Sequence, residues 1–522
     1  MNIYKLILPL LLVSNNSHAD SIDTAVNNFL EPISNALSTF VFFSIPMLGA
    51  DVPLIVIWLA CAALFFTCYL KFINLRGFSH GLQLIRGDYS NPKAKGEISH
   101  FQAVATAISG TVGVGNIGGV AIAITIGGPG AAFWLVFAGF LSMSTKLVEC
   151  TLGVMYRRHH EDGSVSGGPM YYLEHGIAEK GWPKLGKTMG IFYALAMVVG
   201  CLGIGNMFQS NQAYIQFVNI TGGEHSFFAE HSWLFGILIA GTVATVIIGG
   251  IHSIARVAER IVPLMAILYI VSTIVIISFN YQFIPTAFKL ILQGAFTSDG
   301  ITGGMIGVMV IGFQRALFSN EAGLGSASIA HSAVKTNEPV SEGIVSLLEP
   351  FIDTIVICTL SSLVIITTAI PHGLMDSGLK GIELTSAAFA YHISWFPYPL
   401  ALAALLFAFS TSIAWSYYGL KSWTYLFGSK KNSQLIFKMI FCLFIALGCM
   451  VQLDSIIKMS DALVFIIAIP NILGLYILAP KVKKELNQYM AKLQQGKLQN
   501  YRQLKYNETI SSITANGQPA QK

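Results

Sequence analysis

Residues 109 to 119 read Ser-Gly-Thr-Val-Gly-Val-Gly-Asn-Ile-Gly-Gly, inside an apolar stretch that runs from about 99 to 126. Four glycines lie between Gly110 and Gly118, and each weakens a helix by up to ~1 kcal/mol relative to alanine. In lipid, that weakness is tolerated only where the freed backbone groups find partners or face a cavity. The half-helix that restarts beyond the break presents the positive end of its dipole. Such a break can hold an anionic group at the restart and a cation at the freed carbonyls. Close helix packing is the plainer use of small residues, and glycine alone does not separate the two. Gly113-Val-Gly-Asn-Ile-Gly118 also matches the dinucleotide pattern by letter. No strand precedes it and no acidic residue follows about 20 residues on, so that reading fails.

Composition places the break in a membrane. The 522 residues include 31 basic and 26 acidic ones, 11% charged, against about 25% in an ordinary soluble domain. Apolar residues make up 54%, and runs such as Pro53–Leu70 and Phe133–Met143 carry no charge. A soluble enzyme, a disordered chain and a nucleic-acid binder are excluded. An outer-membrane barrel alternates polar and apolar residues and gives weaker hydropathy. What remains is an all-α polytopic membrane protein embedded in the lipid bilayer.

Hydropathy with a window of about 19 residues gives eleven spans, near 52–71, 99–126, 130–156, 188–219, 232–250, 260–279, 300–320, 343–369, 397–420, 434–451 and 457–479. Lys and Arg then sort by side. Segments 71–98 and 157–187 carry five each, 252–260 two, 421–438 four, and the tail from Lys481 eight. The other side carries Lys289, Lys380 and Lys458. The positive-inside rule puts the N-terminus outside and the C-terminus in the cytoplasm of a bacterial inner (plasma) membrane. Residues 1–19 read as a signal peptide: Lys5, an apolar Leu6–Val13 and Ser17-His18-Ala19 as cleavage site,. All seven cysteines fall in apolar segments with no metal-like or paired spacing, and read as small packing residues,.

A second interruption lies at Phe313-Gln-Arg-Ala-Leu-Phe-Ser-Asn-Glu-Ala-Gly-Leu-Gly325, five spans after the first. An odd number of spans per half inverts one half relative to the other. Matched interruptions in two halves point to a transporter site. The expected division is 20–98 with the leading span, 99–279 and 300–479 as inverted repeats, and 480–522 as a cytoplasmic tail.

Other polar groups cluster at similar depth. Asn206, Gln209, Ser210 and Asn211 lie within two turns of the fourth span. In the ninth, Ala408, Thr411 and Ser412 share one helical face,, and Trp415 stands a turn beyond Thr411. Hydroxyl and carbonyl oxygens suit a hard cation such as Na⁺. Ordinary Ser/Thr bonding between helices is the plainer reading. Charges within spans are functional suspects. Lys146 and Glu149, at i and i+3, read as a structural pair. Asp353, one turn beyond Glu349, can face a cation path or make a helix contact. Arg315 and Glu321 flank the second break as a possible gate or coupling pair.

These segments together resemble the alanine/glycine:sodium symporter family over about residues 50 to 480. The carriers are Thr111-Val-Gly-Val-Gly-Asn-Ile-Gly-Gly-Val, Gly127-Gly-Pro-Gly-Ala, Gly167-Gly-Pro-Met-Tyr-Tyr-Leu, Ser319-Asn-Glu-Ala-Gly-Leu-Gly-Ser, Phe351-Ile-Asp-Thr, and Phe407-Ala-Phe-Ser-Thr with Trp415-Ser-Tyr-Tyr-Gly. The resemblance implies a leucine-transporter-like fold with one leading span before a five-plus-five inverted repeat. It implies amino-acid contacts at Thr111, Gly113, Gly115, Asn116, Gln209, Thr411 and Trp415. It implies sodium between Ser109 and Val112 of the break and Ala408, Thr411 and Ser412 of the ninth span. The family often carries Thr at position 114 and Ala at 118, where this chain has Val114 and Gly118.

The expected function is import of a small neutral amino acid, alanine or glycine, by alternating access, with Na⁺ as coupling ion and no other cofactor. Proton coupling through Glu349 or Asp353 is the nearer alternative, and glutamine or D-alanine are alternative substrates. An intramembrane enzyme would need a catalytic constellation, and neither His-Glu-x-x-His nor a nucleophile elbow is present,. A channel would favour one pore motif per subunit over two inverted breaks. The sequence leaves the oligomeric state open and offers nothing for a nucleic-acid partner.

Overall fold

Prolines stand in the first turn of the helices Pro183–Ile220, Pro339–Ala369 and Pro397–Phe427, where a missing N–H costs nothing. Ser99 and Gln102 form a reciprocal capping box at the start of His100–Thr111,. Gly128, at φ 68, turns the chain into Gly130–Met155. The computed structural model describes residues 18–47, 50–297 and 304–504. The expected signal peptide lies almost wholly outside them.

Each of the eleven expected spans meets a helix. Seven described helices are long and apolar enough to cross a bilayer, and an eighth crossing is the bent pair His100–Thr111 and Val114–Gly127, at 59°. Leu54–Tyr69, Ser232–Ile247 and Gly304–Asn320 supply the first, fifth and seventh spans. The sixth is Gly250–Phe279, the tenth Lys431–Gly448 and the eleventh Leu453–Gln494. The protein is an all-α polytopic membrane protein.

The third, ninth and eleventh spans form the packed interior, whereas the sixth and tenth turn most of their length outward. Their outer faces carry exposed Leu264, Ile267, Val271, Met439 and Leu443, the surface a bilayer requires.

Contacts outside the spans sort the connecting segments into two ends. At one, Arg157 donates to the carbonyls of Lys95, Ser332, Val334 and Thr336. Lys481 pairs with Glu179, Lys492 with Glu338, and Arg502 with Asp88. At the other, Asn27 exchanges bonds with Met450 and Gln452, Lys458 reaches Asn35, and Lys380 pairs with Asp454. These are the groupings that the charge count assigns to opposite sides.

Three segments read as loops contain helices: Pro169–Ala178, Ile284–Phe296 and Ile382–His392. Each is too short to cross a bilayer, so a span-length window passes over it.

Candidate functional site

The first break runs from Val112 to Ile117, between His100–Thr111 and Gly118–Gly127. Side chains replace its lost ladder bonds. The Gly113 N–H donates to Asn116 Oδ1 at 2.9 Å, and the Val114 N–H to Gln209 Oε1 at 3.0 Å. Thr385, on the short Ile382–His392 helix, donates to the Ile117 carbonyl at 3.3 Å. The backbone thus bends without leaving these groups unpaired, as a low-dielectric setting demands. Glycine is needed at position 113, where a Cβ would lie 2.8 Å from Gln209 Oε1 and 3.0 Å from Thr411 Oγ1.

The ninth span packs along the same break. Ser109 Oγ donates to the Ser410 carbonyl at 2.6 Å, and Thr411 Oγ1 lies 3.5 Å from the Val112 carbonyl. Ala408 and Ser412, on the same face of the ninth span as Thr411, are buried too,. Ser412 Oγ has no hydrogen-bond partner among the described residues. An orphaned hydroxyl in a set of neutral oxygens fits a monovalent cation. Trp415 Nε1 donates to the Gly110 carbonyl at 3.3 Å and to Glu321 Oε1 at 2.9 Å.

Thr111, Gln209 and Trp415 are at most 5% exposed, so the surroundings of the break are closed to solvent. Its apolar neighbours are a pair of rings absent from the sequence reading. Phe208 and Phe318 meet edge to face, with centroids 5.3 Å apart. A Cβ on Gly115 would touch Phe318 at 3.3 Å. The signal available was position: Phe208 precedes Gln209, and Phe318 precedes the second motif at Ser319.

Asn116 joins the two halves. Its amide donates to Asp353 Oδ1 at 2.6 Å and to Ser319 Oγ at 3.0 Å. Ser319 and Thr354 hydroxyls both donate to Asp353 Oδ2 at 2.7 Å. Asp353 makes no ion pair among the described residues. It lies where the eighth span is wound as a π-helix, Phe351–Cys358, a local form frequent at functional sites. The fourth span has another such stretch at Gly203–Met207, next to Gln209.

The second break is Glu321–Gly325, after which Ser326–His331 resumes the helix. Glu321, Gly323 and Gly325 have φ of 56, 95 and 75. Arg315 and Glu321 do not meet. Arg315 pairs with Asp461 of the eleventh span, and Glu321 accepts from Ser326 and Trp415. The expected Lys146–Glu149 pair is replaced by another. Lys146 Nζ lies 3.3 Å from Glu349 Oε2, because Glu349 faces it across the packed third and eighth spans. Glu149 turns to the Gly325 N–H and to Asn471 Nδ2, at 2.9 and 2.7 Å.

A family profile described as the sodium:alanine symporter family matches residues 36–503. Sodium/alanine symporter AgcS of Methanococcus maripaludis is 37% identical over 436 residues, which cover 83% of this chain and 93% of that protein. A Bacillus subtilis protein described as "Probable sodium/glutamine symporter GlnT" is 32% identical over 446 residues, covering 85% and 89%. The crystal structure of MhsT in complex with L-phenylalanine matches with a TM-score of 0.52 at 18% identity, covering 74% of this chain and 98% of that one. At that identity the match shows a shared fold.

Proposed function

The chain belongs to the sodium:alanine symporter family, and from that premise we propose that it imports a small neutral amino acid, alanine first and glycine second. It is a multi-pass membrane transporter that couples amino-acid movement to sodium, not an enzyme. The observation that carries the finer reading is the set of neutral oxygens at the first break. Ser109 meets the Ser410 carbonyl and Val112 meets Thr411, with Ala408 and Ser412 on the same helical face and Ser412 Oγ without a partner among the described residues,.

In this reading sodium enters as cargo between the break and the ninth span, held by those oxygens. It draws the Val112 carbonyl and the Thr411 hydroxyl toward one centre and so orders the break. The amino-acid carboxylate then meets the half-helix starting beyond Gly115 and Asn116, where the dipole is positive. Its ammonium takes carbonyl or hydroxyl oxygens near Thr111 and Gln209. Phe208, Phe318 and Trp415 would crowd a larger side chain beside the break. Coupling follows if sodium and amino acid bind one state of the carrier better than the other. Rocking of 99–279 against 300–479 exposes the break to each side in turn. The basic end, with Lys95, Arg157 and the tail, faces the cytoplasm of an inner membrane.

Glutamine is the second reading, favoured by the similarity to a protein described as a glutamine symporter. The test is labelled alanine uptake in proteoliposomes, with a competition panel of glycine, D-alanine, glutamine and larger amino acids, run in sodium and in choline. Alanine and glycine should compete best, and only in sodium. Equal uptake in choline would overturn sodium coupling; competition led by glutamine would overturn the small-substrate assignment.

A further inference from the structure

Five buried ionisable side chains form a continuous line at the basic end, away from the oxygens of the break. His100 Nδ1 contacts Glu342 Oε2, and Glu342 Oε1 lies 2.6 Å from His331 Nδ1. His331 Nε2 contacts Glu349 Oε1, and Glu349 Oε2 lies 3.3 Å from Lys146 Nζ. The line alternates base and acid throughout. All five are at most 3% exposed.

Counting protons decides what the line requires. Three imidazole-to-carboxylate contacts need one hydrogen each. A neutral imidazole carries one N–H, and an ionised carboxylate none. With both histidines neutral and both glutamates ionised there are two hydrogens for three contacts. His331 has a carboxylate on each ring nitrogen, so an extra proton must sit on it or on a flanking carboxyl. A lone pair would otherwise face a lone pair in a buried site.

Other titratable and charged groups surround the line. The third span adds Glu149 and Cys150 next to Lys146, and the second break adds Glu321. Arg157 lies near Glu342, and Tyr418 of the ninth span near Glu349. Cys150, His331 and Glu349 lie within 4.8 Å of one another, a spacing a metal ion can use. The Lys146 ammonium on Glu349 opposes a further multivalent cation there, whereas the hydrogen count of the three contacts calls for a proton.

The histidines sit where movement would be largest. His100 opens the helix that ends at the first break, and His331 closes the helix that follows the second. Twelve residues at 1.5 Å each make a lever of about 18 Å, so a pivot of about 10° at Val112 moves His100 by about 3 Å, enough to break the contact. Glu342 and Glu349 stay on the eighth span.

We propose that this line is a proton-binding site that locks the basic-end halves of both broken helices onto the eighth span. The proton is held while this end is closed and leaves to that side when the helices pivot away. Cytoplasmic acid therefore slows opening of this end. This inference rests on the alternating-access reading above.

The test uses proteoliposomes of known orientation, a fixed sodium gradient and constant external pH. Raising internal pH from about 6 to about 8.5 should speed alanine uptake by at least about 5-fold, since proton release then favours opening. Glu342→Gln keeps three contacts and supplies its own N–H, so its uptake should ignore internal pH. Glu349→Gln likewise supplies an N–H, to His331 Nε2, and turns its amide oxygen to Lys146, so it should do the same,. A wild type indifferent to internal pH, or variants that keep its response, would overturn the proton site. Absence of sodium-driven uptake would overturn the symport reading instead. Hydrogen exchange of peptides 100–111 and 326–338 then reads the lock without substrate. After correction for intrinsic rates, exchange should rise with pH in the wild type and not in Glu342→Gln; identical pH responses overturn the lock.

Discussion

The indole N–H of Trp415 donates to Glu321 Oε1 at 2.9 Å, and that bond joins the ninth span to the second break. The same N–H also reaches the Gly110 carbonyl at 3.3 Å, just before the first break. One side chain thus touches both interruptions, although 94 residues separate it from Glu321 and 305 from Gly110. The ring can lie there because Gly205 faces it. A Cβ at that position would stand 1.9 Å from Trp415 Cγ.

Gly205→Ala should therefore displace Trp415 from both breaks. Overpacking of this kind costs about 1–3 kcal/mol, and here it falls on the breaks themselves. The expected result is at least a ten-fold loss of sodium-driven alanine uptake (about 1.4 kcal/mol), with a monodisperse protein in detergent. Uptake within two-fold of wild type would show that Trp415 does not depend on this contact.

Ser412→Ala separates a cation ligand from a structural hydroxyl. Ser412 Oγ gives up no protein hydrogen bond on removal, so the thermal midpoint in detergent without sodium should be unchanged. The sodium concentration for half-maximal alanine uptake should rise about ten-fold, as expected for loss of one interaction worth about 1.4 kcal/mol. An unchanged sodium dependence would remove Ser412 from the proposed set.

What the sequence made legible follows from what is local. Glycines at 110, 113, 115 and 118 announce the first break through helix propensity alone. Lys and Arg counts sort the connecting segments into two groups because loops are short, and contacts at each end group them the same way. The partners were hidden, since they come from remote spans: Asp461 for Arg315, 146 residues away, and Glu349 for Lys146. Ile382–His392 was hidden for another reason. Its eleven residues fall below a span-length window, yet Thr385 from it satisfies the Ile117 carbonyl. Phe208 and Phe318 carry no polar mark, so only their packing against each other and beside Gly115 identifies them as neighbours of the break.

Asp353 separates charge from geometry. It accepts from Asn116, Ser319 and Thr354. In Asp353→Asn the amide oxygen can face Asn116, and the amide nitrogen can donate to hydroxyls that rotate to accept. Sodium-driven uptake should stay within a few-fold of wild type. Asp353→Ala strands up to three donors at about 1–3 kcal/mol each, and uptake should be abolished. If Asp353→Asn is as inactive as Asp353→Ala, the carboxylate's charge or proton is itself required, and proton coupling through Asp353 becomes the better account.

The Arg315–Asp461 pair yields the last prediction. Both residues are below 10% exposed, and Gln314 also donates to Asp461. The Arg315 guanidinium lies 5.5 Å from the Phe318 ring centre, so the pair braces the ring beside Gly115 as well as linking the seventh and eleventh spans. Removing one partner leaves a buried charge alone, at about 3–5 kcal/mol. Arg315→Met and Asp461→Leu should each lower the thermal midpoint in detergent sharply. The double variant replaces a buried pair with apolar groups of similar bulk and should recover most of that stability. Uptake separates bracing from gating: if the pair only braces, the stable double variant transports alanine. A stable but inactive double variant would instead make the pair part of the transport cycle, opening and closing with the second break.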